Sequence, residues 1–103
     1  MKIVRVQYTV KQEYADKNRN NISKVMNDLR EINNPGIKYS SFVLEDGKTF
    51  MHFAVFENEE ANKTLNNLES FKQFQAELKA SGPLSPPKPE NLALVASCYD
   101  FFG

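Results

Sequence analysis

From Lys2 to Val10 apolar and polar side chains alternate, with Val4, Val6, Tyr8 and Val10 on one side and Ile3, Arg5, Gln7 and Thr9 on the other. A period of two predicts a strand. After a polar stretch from Lys11 to Asn21 the rhythm changes, and Ile22, Val25, Met26, Leu29 and Ile32 recur at steps of three and four. Such steps put five apolar side chains on one stripe of a helix, which Tyr14 and Ala15 extend back to a start near residue 13 or 14. Asn33-Asn34-Pro35-Gly36 ends that helix, because Pro35 cannot continue the ladder and Gly36 accepts positive φ. Residues 37–45 and 48–56 read as the second and third strands. Between them Asp46-Gly47 is a strong hairpin signal, a turn in which both central residues take positive φ.

Asn58 is placed to cap a further helix with Glu59 and Glu60 in its first turn and Ala61, Leu65 and Leu68 on its stripe. Ser70 reads as a second cap, followed by Phe71, Phe74 and Leu78 on a new stripe that ends before Gly82. Two short helices or one bent helix both fit. The proline-rich run 82–89 reads as a stiff extended connector, and 92–99 as the last strand, with Phe101 and Phe102 trailing it.

Strand, helix, strand, strand, helix, strand is the ferredoxin-like βαββαβ order, an α+β fold with a four-stranded antiparallel sheet and its helices on one face. The third strand, however, is apolar on both faces, with Met51, Phe53 and Val55 opposite Phe50, Ala54 and Phe56, and residues 92–99 repeat the feature. A face that met only water would alternate cleanly. The expected cover for the second face is another copy of the chain, a homodimer with the sheets face to face.

Composition narrows the function. The chain of 103 residues is expected to form one domain over 1–103. Thirteen basic and thirteen acidic side chains balance, which argues against a nucleic-acid or anionic-membrane partner. No apolar run approaches the ~20 residues of a membrane span, and residues 1–10 do not read as a signal peptide, so a cytoplasmic address is expected. One cysteine, Cys98, and one histidine, His52, cannot supply a usual zinc site, and no cofactor is expected. The third strand superficially resembles an RNA-stacking strand through Phe53 and Phe56, but Thr49, Phe50 and Met51 stand where its basic, glycine and aromatic residues belong.

His52 is the candidate catalytic group: facing a cavity between sheet and helices, it could polarise a phenol or take its proton, the alternative being a packed structural histidine. Tyr8, Tyr39 and Tyr99 lie on three predicted strands and can converge as phenol donors. Met26, Phe71 and Phe74 can wall an apolar ligand pocket, or serve as plain core. Cys98 has no neighbour in sequence that would activate its thiol.

The Pro35-Gly36 turn, the Asp46-Gly47 hairpin, the strand end Phe53-Ala54-Val55-Phe56, Glu59-Glu60-Ala61 and Leu68-Glu69-Ser70-Phe71-Lys72-Gln73-Phe74 carry a family likeness. Over nearly its whole length the chain resembles the dimeric α/β-barrel superfamily and, within it, the antibiotic-biosynthesis monooxygenase-like group. The resemblance implies a dimeric α/β barrel and a cofactor-independent oxygenase acting on a small aromatic or quinol, with His52 as base and Tyr8 or Tyr39 as donor. Active members commonly carry a tryptophan near the end of the third strand and a histidine one turn into the next helix. Phe56 and Leu65 or Asn66 stand there in this chain. A ligand-binding or structural dimer without turnover is the rival reading.

Overall fold

A computed structural model describes residues 1–103. The strands are β1 (Lys2–Thr9), β2 (Ile37–Val43), β3 (Thr49–Phe56) and β4 (Ser85–Leu92), and the helices α1 (Ala15–Ile32), α2 (Glu59–Asn66) and α3 (Glu69–Ala80). A single 3-10 turn, Gln12–Tyr14, leads into α1. The sheet is antiparallel throughout, in the order β2-β3-β1-β4, which is the ferredoxin-like βαββαβ arrangement. No helix is long and apolar enough to cross a membrane.

The register assigns every side chain to a face. Val6 stands opposite His52, Tyr8 opposite Phe50, and Tyr39 opposite Ala54. These residues look toward the helices; Tyr8, Phe50 and Ala54 join Val10, Val25, Leu65, Phe71, Phe74 and Leu78 in the buried core, with Val6 and Tyr39 partly buried against it and His52 buried among them. The other face carries Ile3, Phe42, Met51, Phe53, Val55 and Leu92 together with Arg5, Gln7, Lys88 and Glu90.

The last strand departs from expectation. The proline-rich run is itself β4, and the expected strand over 92–99 lies outside the sheet beyond its first residue. Proline lacks an N–H, yet an edge strand tolerates it, and the pairing with β1 shifts register between Gln7 and Thr9, opposite Pro86 and Pro87. A cross-strand ion pair, Arg5 Nη1 to Glu90 Oε1 at 2.6 Å, fixes the remainder. The alternation over 92–99 finds no partner strand within the chain, and Val95 is 99% exposed.

Three local expectations also shift. Positive φ at the end of α1 falls on Asn33 (φ 52°), whose N–H reaches Leu29 O, and not on Gly36. Gly36 serves close approach instead. Its carbonyl takes the Glu57 N–H at 2.9 Å, and a Cβ there would sit 3.2 Å from Asn34 Oδ1 and 3.4 Å from Ala61 Cβ. In the β2–β3 hairpin only Gly47 has positive φ (74°). The loop is wider than two residues because Asp46 Oδ1 accepts from the N–H groups of Lys48 and Thr49, at 2.9 and 2.8 Å. Ser70 does not cap α3: Leu68 holds that position, and the buried Ser70 hydroxyl has no partner.

Asn58 caps α2 as expected, its Oδ1 accepting from the Ala61 N–H at 2.9 Å. Asn58→Ala should lower the unfolding free energy by about 1 kcal/mol in a urea titration. An unchanged midpoint would mean that the cap adds nothing to α2.

Candidate functional site

The inward residues of β1, β2 and β3 meet α3 around a cavity of about 490 Å³. Its floor is polar and compact. His52, 4% exposed, places Nε2 2.8 Å from the Tyr8 hydroxyl and Nδ1 2.8 Å from the Tyr39 hydroxyl. Ser41 Oγ lies 3.5 Å from Nε2, at the outer limit of a hydrogen bond. The walls are apolar. Phe74 packs 5.6 Å from the imidazole centroid and 6.0 Å from Phe71, and Phe71 meets Tyr39 edge-on at 6.3 Å. Pro83, Pro86 and Pro87 close one side and Gln75 and Lys79 stand among the lining residues, so the proline-rich β4 and the turn before it complete a wall.

Burial decides the charge state. Loss of water around His52 pushes its pKa down to about 4, so the imidazole is neutral at pH 7. Desolvation likewise raises both phenols well above their usual 10, against an Asn18 hydrogen bond that lowers Tyr8. The floor is a chain of neutral groups that can donate and accept at once. It suits an uncharged ligand whose oxygen meets the Tyr39 hydroxyl and whose rings meet Phe71 and Phe74.

Five of the six site residues expected from sequence meet here: His52, Tyr8, Tyr39, Phe71 and Phe74. Met26 does not. The turn of α1 carries it to a neighbouring depression lined by Leu29, Pro35 and Ile37, which shares Tyr39 with this cavity but not His52, so Met26 is no wall of the cavity. Tyr99, expected on a strand beside the other tyrosines, lies in the unpaired tail at 61% exposure. Sequence reasoning missed Asn18. The buried face of α1 is Ala15, Asn18, Asn21 and Val25, while Ile32 is largely exposed. Asn18 Nδ2 donates to the Tyr8 hydroxyl at 2.9 Å. The signal was present, since Asn18 precedes Val25 by seven residues on one helical face.

No protein-family model matches the chain, and no curated protein matches it in sequence. Solved structures do. An antibiotic biosynthesis monooxygenase superposes with a TM-score of 0.78 at 17% identity, over 93% of this chain and 100% of its own. The Mycobacterium tuberculosis protein Rv0793 gives 0.77 at 13% identity, over 95% of this chain and 98% of its own. A candidate antibiotic biosynthesis monooxygenase of Bacteroides thetaiotaomicron gives 0.81 at 8% identity, over 96% and 93%.

The fold is that of the antibiotic-biosynthesis monooxygenase-like proteins. The likeness lies in the backbone path, and what the cavity does follows from its own side chains. No group of three or more histidine, cysteine, aspartate or glutamate side chains is arranged to hold a metal ion. Cys98 is free and exposed in the tail.

Proposed function

We propose that the cavity above His52 binds a small, uncharged aromatic or quinol-type molecule, and that the protein acts on it as a cofactor-independent monooxygenase. The observation that carries this reading is a neutral imidazole held between two phenols, 2.8 Å on either side, under aromatic walls. In such chemistry the substrate reduces dioxygen. An activated methylene and O2 yield a carbonyl and water, one oxygen atom going to each. The protein must bind the ring, exclude water and move a proton.

His52 is the group to move it, by way of the Tyr39 hydroxyl, since both ring nitrogens are hydrogen-bonded to phenols. Transfer from a phenol of ordinary pKa to an imidazole near 4 is uphill by roughly 8 kcal/mol. One turnover per second corresponds to a barrier of about 17 kcal/mol, so a transient transfer fits beneath it. In an oxygen electrode, anthrone or a quinol should drive uptake that His52→Ala lowers by about 100-fold or more while the fold persists. Equal uptake by the variant would remove His52 from the mechanism. The second reading, a ligand-binding dimer without turnover, is favoured by the low basicity of His52. Saturable binding with no oxygen uptake would select it.

The working unit in this proposal is a homodimer joined through the open sheet face. Ile3, Phe42, Met51, Phe53, Val55 and Leu92 share that face, with the Phe42 and Phe53 rings edge-on at 6.1 Å. Leu94, Val95 and Tyr99 lie bare beside it, and Leu94, Val95 and Tyr99 line a depression with Phe42 and Phe53. Phe42, Leu92, Leu94, Val95 and Tyr99 are exposed, whereas Ile3, Met51 and Phe53 are half-buried and Val55 is already buried. Covering a fully exposed side chain of this size is worth roughly 1.5–3 kcal/mol, so the exposed ones carry the association. Sedimentation at micromolar concentration should give twice the chain mass of 11.8 kDa, and Phe53→Lys should return it to one chain. A wild-type mass of one chain would contradict the dimer.

A further inference from the structure

Asn18 is fully buried, and its amide nitrogen donates to the Tyr8 oxygen at 2.9 Å. With the amide in this orientation, its Oδ1 buried without a partner, that bond orders the protons beyond it. A phenol has one proton to give; with Asn18 donating to its oxygen, Tyr8 directs its own proton to His52 Nε2, 2.8 Å away. Nε2 is then the bare nitrogen, and the Ser41 hydroxyl at 3.5 Å stands on the same side, a second donor toward it. A neutral imidazole carries a single N–H, which falls on Nδ1 and points at the Tyr39 oxygen, 2.8 Å away. The Tyr39 proton is left over. The Tyr39 hydroxyl has no other partner in the protein, and Tyr39 lines the cavity.

We infer that Asn18 is a positioning residue that sets the proton order Asn18→Tyr8→His52→Tyr39, so that the cavity presents one directed donor, the Tyr39 O–H, and selects a ligand carbonyl over a ligand hydroxyl. This rests on the reading that the cavity binds an uncharged aromatic molecule and deepens it. A carbonyl oxygen accepts the Tyr39 proton and leaves nothing unmatched. A hydroxyl in its place can accept the same proton, but its own O–H must then reach Gln75 or solvent past the phenyl and proline walls, and short of such an acceptor it is left unpaired. The expected preference for the carbonyl is about tenfold or more in Kd.

His52 is the single histidine, so long-range proton–nitrogen correlation spectra of 15N-labelled protein contain one imidazole. In the free wild-type protein at pH 7 the expected tautomer carries its proton on Nδ1, with Nε2 bare. A proton on Nε2 overturns the inferred order, whatever the cavity binds. Asn18→Asp replaces the donor by an acceptor. Tyr8 should then turn its proton to the carboxylate, the imidazole proton should move to Nε2, and Tyr39 should donate to Nδ1. Asn18→Leu removes the donor without adding charge and should give a mixture of both tautomers; should the aspartate variant not fold, this one carries the comparison. Titration with 1-tetralone and 1-naphthol reads the consequence: the ketone binds more tightly to wild type, and Asn18→Asp reverses the order. A preference unmoved by either substitution overturns the role given to Asn18. If neither ring binds while the Nδ1 tautomer is found, the ligand reading of the cavity fails and the proton order stands.

Discussion

Acidification from pH 7 to pH 4 is expected to remove about 3 kcal/mol of stability through His52 alone. The sign follows from where the proton is refused. In the unfolded chain the imidazole titrates near its ordinary 6.5, whereas in the folded protein burial holds it neutral down to about 4. Between those values the unfolded state binds a proton that the folded state does not. Stability therefore falls by about 1.4 kcal/mol per pH unit below 6.5 and levels off once the folded site also protonates. Above pH 7 this group contributes no slope. Asp46, held below the usual carboxylate range by hydrogen bonds from Thr49 and Lys48, acts in the same direction but at lower pH. Urea titrations at pH 7, 6, 5 and 4 measure the effect, and His52→Phe should flatten the curve between 6.5 and 4. An equal slope in wild type and variant would mean that His52 is not held neutral.

Phe74→Ala is expected to cost about 3–5 kcal/mol, the range for truncating a fully packed phenylalanine. Phe74 is 5% exposed and joins three rings, with centroids 5.6 Å from His52, 6.0 Å from Phe71 and 6.5 Å from Tyr8. Its removal deletes apolar burial and leaves a void that the sheet beneath cannot fill, because β1 and β3 are tied residue by residue. A small domain has about 5–15 kcal/mol in all, so the variant should lie close to the unfolding threshold at 37 °C. Its thermal midpoint should drop by roughly 15 °C or more. Phe74→Leu, which retains most of the volume, should lose less than half as much. A loss under 1 kcal/mol for the alanine variant would mean that the wall of the cavity is not packed as described.

Much of the site could be read from strand parity. Tyr8, Tyr39 and His52 each occupy the helix-facing side of their strands, and the βαββαβ order makes those strands adjacent, so convergence follows once the topology is set. Phe71 and Phe74 sit three residues apart on the helix that covers the strands. Polarity misled where it competes with position. Asn18 and Asn21 look like surface in a polar stretch, yet they lie on the buried face of α1, and what admits Asn18 is a hydrogen bond to a tyrosine ten residues earlier in the chain. Propensity misled at β4. Three prolines within Ser85–Leu92 argue against a strand by local rules, and only the free edge of β1 makes the pairing possible. The run over 92–99 carries the opposite lesson. Its alternation is genuine, but a strand needs a neighbour as well as a pattern, and within one chain β4 has already taken that edge.

The proline wall also links fold to site. Because β4 brings Pro86 and Pro87 against the cavity, the bulge in the β1–β4 pairing helps shape the entrance. The edge that tolerates proline for want of a neighbour thereby becomes one side of the pocket, while the backbone pairing from Gln7–Lys88 to Ile3–Leu92, with the Arg5–Glu90 ion pair across it, holds the rest of the strand.

The proposed ligand site is the floor around His52. The direct test follows the imidazole and Tyr39 ring resonances at pH 7 while an uncharged aromatic ketone is titrated in. Saturable shifts at His52 and Tyr39, with the Met26 methyl unmoved in its neighbouring depression, are the predicted result. Saturation that leaves His52 untouched and moves Met26 would contradict it, whether or not Tyr39, which lines both depressions, shifts.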